Sequence, residues 1–189
     1  MPLTLSRRAV LLTLAGGPAA LWAQAAVPSE VAAELPGAKL LGSGRLTFIG
    51  LAIYEARLWV GEGFKAESYE QAPLAIELDY ARTLYGKLIA ERSLDEMKRA
   101  GGISEAQAES WLATLKQTFP DVVKGDRITG LFRPGESARF FLNGKAIGEV
   151  RDADFARRFF GIWLSPKTSE PKLRLALLGP LASATRSTP

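Results

Sequence analysis

Apolar residues recur along this chain with two different periods, and the switches between them mark out the elements. From Lys39 to Val60 the pattern is that of strands. Leu40-Leu41, then Arg45 to Ile49, then Ile53 to Val60 are rich in large aliphatic and aromatic residues. The glycines at 42, 44 and 50 predict turns, bulges or close backbone approach within this run, and Gly61 and Gly63 end the second strand. Leu74, Ile76, Leu78 and Tyr80 alternate with Ala75, Glu77 and Asp79, so a period-two strand opens after Pro73.

The period then changes to that of helices. Leu84 to Arg99 is charged and amphipathic and stops at Gly101-Gly102. Ser104 with Gln107 forms a capping box, and Ala108, Trp111, Leu112, Leu115 and Phe119 make the apolar stripe of a second helix that Pro120 ends. Three strands follow, Arg127 to Arg133, Glu136 to Leu142 and Lys145 to Val150, joined by Pro134-Gly135 and by the hairpin dipeptide Asn143-Gly144. Phe155, Phe159, Ile162 and Trp163 then fall at i, i+4, i+7 and i+8 on one helical face, with Asp152 or Asp154 at its start. That stripe is either plain core or one wall of an apolar cavity. Gly161 inside it costs about 1 kcal/mol relative to Ala, which predicts a close approach there. A last helix starts after Ser169, carries Pro171 in its first turn and runs to Leu178. Strands, two helices, strands and two helices describe an α+β domain, an antiparallel sheet with a helical layer on one face. Pro28 to Pro36 reads as a lead-in and residues 183–189 as a frayed tail.

The N-terminus carries an export signal over residues 1–25. Arg7 and Arg8 give a basic start, Ala9 to Leu14 open an apolar run too short to span a bilayer, and Ala23-Gln24-Ala25 offers a small-x-small cleavage site. The paired arginines also fit a twin-arginine signal. The expected location is the periplasm of a bacterial-type envelope, with a single domain over residues 26–182 and no transmembrane segment in the mature form. Removing the signal takes away two basic and no acidic residues, so the balance of 24 against 20 falls to 22 against 20. The near-neutral remainder carries no nucleic-acid footprint.

Two absences narrow the chemistry. The chain has no Cys, hence no disulfide and no thiol nucleophile, and no His, hence no near-neutral general base and no zinc site of the usual kind. Ser-His-Asp and Cys-His catalysis are excluded. No cofactor and no metal are expected. Glu91, Asp95 and Glu96 with Arg92, Lys98 and Arg99 read as a solvated helix face, with Asp95–Arg99 as an i,i+4 pair. Tyr80, Arg82 and Tyr85 suit either an anionic head group or an exposed strand end. Gly42-x-Gly44 lacks the strand-loop-helix setting of a nucleotide loop.

Gly42 to Trp59 resembles the opening β-hairpin of chalcone isomerase-like proteins. Gly125-Asp126-Arg127, the Asn143-Gly144 hairpin and Phe155 to Leu178 resemble the second half of the same family, in the right order. The match is closest to its exported bacterial branch and covers roughly residues 39–181. The resemblance implies an open-faced β-sandwich, a large antiparallel sheet against helices with a ligand cleft between them. It also implies two activities. True isomerases close a phenolate onto an enone with an Arg, a Thr, a Tyr and an Asn, whereas fatty-acid-binding relatives use the cleft as a tunnel.

Laid along the catalytic pattern, the Thr falls on Ile49, the Tyr on Ile103, the Asn near Ser110 and the polar residue of the penultimate helix near Gly161. The Arg falls near Lys39 or Arg45. Losing one oxyanion donor costs about 2.7–4 kcal/mol of transition-state stabilisation, so losing several leaves negligible cyclisation. The expectation is therefore a non-catalytic protein that binds an apolar or amphipathic small molecule such as a fatty acid. Its carboxylate would meet Arg45 or Lys39, and its tail would lie among Ile49, Ile103, Trp111 and Trp163, with Tyr54, Ser110 and Gly161 completing the site. Two alternatives remain: an isomerase or lyase using Tyr54, Tyr80 or Arg45 in a different arrangement, and a structural or partner-binding envelope protein whose cleft is plugged by aromatics.

Overall fold

A computed structural model describes residues 26–179 and 181. Both the export signal and the expected tail lie outside the described residues. The element order is α1 (Ser29–Glu34), β1 (Lys39–Phe48), β2 (Leu51–Val60), a 3₁₀ segment (Ala66–Gln71), β3 (Leu74–Tyr80), α2 (Gly86–Lys98), α3 (Glu105–Thr118), β4 (Arg127–Arg133), β5 (Ser137–Leu142), β6 (Lys145–Val150), α4 (Ala153–Leu164) and α5 (Pro171–Leu178). The six strands form one antiparallel meander in sequence order. The fold is the α+β arrangement that the pattern of periods predicts.

Alternation sorts each strand between two faces. On the inner face Ala56, Leu58, Ile76, Leu78, Ile128, Phe132 and Phe140 join the main core with the helices. There α5 lies against β1, α4 against β4 and β5, and α3 against β6. The glycines of β1 permit the first of these contacts: a Cβ on Gly42 would sit 2.3 Å from the Ala176 carbonyl oxygen. Helix α2 makes its main contacts with α3 and α4 rather than with strands. It thus bridges over the sheet, and the space left beneath it matters below.

Capping follows the residues that announced it. Ser104 and Gln107 close a reciprocal capping box on α3. Asp152 accepts hydrogen bonds at 3.0 Å from the N–H groups of Asp154 and Phe155 at the start of α4, and 3.0 Å from Trp111 Nε1, tying α3 to α4.

The outer face is different. Pro28 to Pro36, read as a lead-in, folds into α1 and lies across this face with Val31 and Leu35 packed on Trp59, Ala75, Leu131 and Phe141. Six residues are too few for a helix stable on its own. The ion pairs beneath it hold it: buried Glu30 takes Arg127 Nη2 at 2.9 Å and Thr129 Oγ1 at 2.7 Å, while Glu34 pairs with Arg133 at 2.6 Å and with Arg139. Local sequence carries no sign of those partners, which lie about a hundred residues away.

Candidate functional site

A cavity of about 300 Å³ lies between the inner face of the sheet and the helices. It exists because α2 stands off the strands. Its floor is Ile76, Leu78, Ile128, Gly130 and Phe140 from β3 to β5, and one wall is Phe159, Phe160, Ile162 and Trp163 from α4. Leu88, Ile89, Arg92, Ser93 and Glu96 of α2 form the roof, and Thr47 and Phe48 of β1 with Ser169 and Glu170 before α5 complete the surround. Phe48 and Leu88 are 63 % and 54 % exposed, so the opening to solvent lies between the β1–β2 hairpin and α2.

The lining is mostly apolar. The buried rings of Phe119, Phe140, Phe159 and Phe160 cluster in it, with Phe140 and Phe159 meeting edge to face at 5.0 Å between ring centres. Polar groups are few among the lining residues. Tyr54 Oη accepts a hydrogen bond from Trp163 Nε1 at 3.1 Å, and the Tyr54 ring meets Tyr80 edge-on at 6.0 Å. Burial pushes the Tyr54 hydroxyl up to about 12 from its ordinary 10.0, and it pushes Tyr80 up as well. Both therefore stay protonated at neutral pH as hydrogen-bond donors. Neither donates to another described residue. The one guanidinium of the lining, Arg92, is held by Glu96 at 2.6 Å, and Glu170 adds a second carboxylate. Ser93 returns its hydroxyl to Ile89 O at 2.8 Å, as helical serines do.

Of the nine positions singled out in the sequence, Tyr54 and Trp163 line this cavity, and their side chains bond each other. Seven lie elsewhere. Ile49 stands at the tip of the β1–β2 turn, 83 % exposed. Arg45 pairs across the sheet with Glu55 on the outer face, because its neighbours Gly44 and Leu46 take the inner positions. Lys39 is exposed at the far end of β1, and Ser110 is exposed on α3. Trp111 is buried against Phe155 at 5.7 Å in the α3–α4 junction, and Ile103 packs at the edge of the core. Gly161 faces away from the cavity; a Cβ there would come 3.1 Å from Tyr69 Oη. The close approach it predicts is real, but its neighbour is the 3₁₀ segment.

Tyr80, weighed in the sequence for a head group or an exposed strand end, is buried and lines the cavity; the groups that sequence reasoning missed as lining are Thr47, Arg92, Ser93 and Glu96. Tyr80 had a usable signal, since it continues the apolar side of the β3 alternation. Thr47 did not. The pairing passes from Leu46–Tyr54 to Thr47–Ala52, leaving Ile53 as an extra residue, and such a bulge brings Ile53 and Tyr54 to the cavity together. Among the described residues there is no cluster of three or more His, Cys, Asp or Glu arranged for a metal, and no helix is long and apolar enough to cross a membrane.

Comparison with known proteins fits this geometry. A solved Arabidopsis thaliana fatty-acid binding protein superposes with a TM-score of 0.58 over 78 % of this chain and 90 % of its own, at 15 % identity. At that identity the likeness is one of fold. A Haemophilus influenzae protein described as uncharacterized is 28 % identical over 148 residues, covering 78 % of this chain and 71 % of its own length. The model of the family described as chalcone isomerase-like matches residues 21–179, most of the sequence, and the chain belongs to the chalcone isomerase-like family.

Proposed function

We propose that this chain is a non-catalytic binding protein for an apolar or amphipathic small molecule, of which a single-chain lipid such as a fatty acid is the reference case. The observation that carries the reading is the cavity itself, lined mostly by aliphatic and aromatic side chains with a few polar groups, Tyr54, Tyr80, Ser93, Arg92 and Glu96, among them. Its volume of about 300 Å³ stands at the lower end of the usual range for small-molecule sites. A hydrocarbon tail would lie over Ile128, Gly130 and Phe140. The head group would sit near Tyr54, Ser93 and Arg92. The Arabidopsis protein of similar fold, named for fatty-acid binding, supports the class of ligand. The rim also bears on the head group. With Arg92 already engaged by Glu96, and Glu170 beside them, a head that donates hydrogen bonds is better matched than a bare carboxylate.

Export to a periplasm is part of the proposal and rests on Arg7-Arg8, the apolar run and Ala23-Gln24-Ala25. A cavity of this size weighs against the plugged cleft of a purely structural protein. A second reading, an intramolecular lyase, has in its favour the convergence of Tyr54, Tyr80 and Thr47 on one space. Against it, the tyrosine hydroxyls are pushed away from neutrality and the one nearby cation is neutralised by Glu96.

Extraction of protein purified without detergent, followed by mass spectrometry, tests the binding reading. A stoichiometric single-chain amphiphile is the expected result. An empty protein that also fails to take up fatty acid or fatty alcohol overturns it. Turnover of a chalcone, followed by loss of its absorbance, would establish the lyase reading instead.

A further inference from the structure

The end of the domain that carries the cavity mouth is also its apolar end. Six of the nine exposed large apolar residues among the described residues, Phe48, Ile49, Leu51, Tyr85, Leu88 and Val123, lie there, each more than half exposed. The other three are at most 40 % exposed. Backbone bonds join the segments that bear the six: Ala81 N–H reaches Ile53 O at 2.9 Å, and Leu84 and Val122 exchange bonds of 3.0 and 2.9 Å. Phe48 and Leu88 belong at once to this surface and to the cavity lining.

The backbone holds Ile49 there against its preference. Asn143-Gly144 and Ile49-Gly50 are two-residue hairpin turns with matching positive φ, 49° and 84° in the first and 49° and 74° in the second. Asn suits the left-handed first position, while a β-branched residue is strained in it. The chain therefore keeps a strained, fully apolar side chain at its most exposed point, where it gains almost no packing. Strain that the fold does not need points toward function.

Charge identifies the occupant. Arg82, Lys87, Lys124 and Lys145 surround the patch, exposed and without an ion pair among the described residues. Of three acids nearby, Glu91 is compensated by Lys116, while Asp121 and Asp126 keep their charge but are tied to the backbone, so the four cations still outnumber them. Asp121 accepts from Gly86 N–H at 2.7 Å, Asp126 from Val123 N–H at 2.8 Å, and Glu91 from Lys116 Nζ at 2.8 Å. Apolar tips ringed by exposed cations match the interface of an anionic bilayer, where hydrocarbon and lipid phosphate lie within a few ångströms of each other.

We infer that this end of the protein docks on the surface of an anionic lipid membrane, with the Phe48–Leu51 turn dipping into the interface and the cavity mouth facing the lipid. Docking does not depend on what the cavity holds. The test needs only protein and vesicles, so its failure would leave the binding reading untouched.

The chain lacks cysteine, so Ile49→Cys and Glu136→Cys each offer a single site for an environment-sensitive dye in the full chain, the second at the opposite end of the sheet. With vesicles of equal phosphatidylglycerol and phosphatidylcholine, the emission at position 49 should shift to the blue and that at 136 should not. An R82E/K124E version of the labelled protein should need at least tenfold more lipid for the same shift. No shift at 49, an equal shift at both positions, or unchanged lipid dependence in R82E/K124E overturns the inference. A blue-shifted emission at 49 before vesicles are added also overturns it, since the patch would then be covered by protein.

Discussion

Replacing Ile49 with Asn should stabilise the fold, although it removes a large apolar side chain. A non-glycine residue in the left-handed region costs about 1–2 kcal/mol, and Asn pays much less of it than a β-branched residue. Little is lost in return, because Ile49 is 83 % exposed and its turn needs no packing partner. The same protein supplies the control: Asn143 occupies the equivalent place at φ 49° beside Gly144. The net gain should be about 1 kcal/mol, or about 2–4 °C in melting temperature for a chain of this size. Urea unfolding followed by circular dichroism, with wild type and Ile49→Asn in parallel, measures it. An unchanged or lower midpoint would refute the reasoning, because it would mean that Ile49 makes contacts that offset its strain.

Three further outcomes follow from the geometry. Glu30→Ala should destabilise the protein by about 3 kcal/mol, because it strands the partly buried Arg127 and the Thr129 hydroxyl; Glu30→Gln should cost less, and equal urea midpoints for Glu30→Ala and wild type would contradict this. The tyrosine contribution to stability should be constant from neutral pH to about pH 10 and be lost as pH rises from there, because Tyr54 ionises near its ordinary 10.0 when unfolded but only at about 12 when folded, with Tyr80 also raised; urea midpoints from neutral pH upward read it, and Tyr54→Phe with Tyr80→Phe should lessen the decline. Affinity for straight-chain alcohols should tighten about fourfold per added methylene, from about 0.8 kcal/mol each, until the cavity is full, and calorimetry on a homologous series would show the plateau.

The sheet and helices were legible in the sequence because each is written in local residues: the β3 alternation, the Ser104–Gln107 box, the Asn143-Gly144 turn and the stripe from Phe155 to Trp163. The site was legible only in part. Trp163 and Tyr54 emerge from a stripe and a strand, whereas Thr47 and Ile53 reach the cavity through a bulge that no periodicity announces. Arg45 lies on the face away from the cavity. Once Gly44 and Leu46 face α5 and the core, alternation alone sends Arg45 to the outer face. Arg92 and Glu96 read as a solvated helix face, and with Ser93 they border the cavity because α2 packs on other helices and stands off the sheet. Helix α1 was invisible for the same kind of reason, since its stabilising partners are distant strands.

The central claim is that the cavity under α2 is the binding site. Ser93 lines it, and its hydroxyl bonds only to its own helix, so Ser93→Phe fills the space while breaking nothing but that back-bond. Displacement of a fluorescent fatty acid from wild type and Ser93→Phe, with folding checked by circular dichroism, is the direct test. The account predicts saturable binding by the wild type and at least a tenfold loss in a folded Ser93→Phe protein. Equal affinity in the two proteins would contradict it.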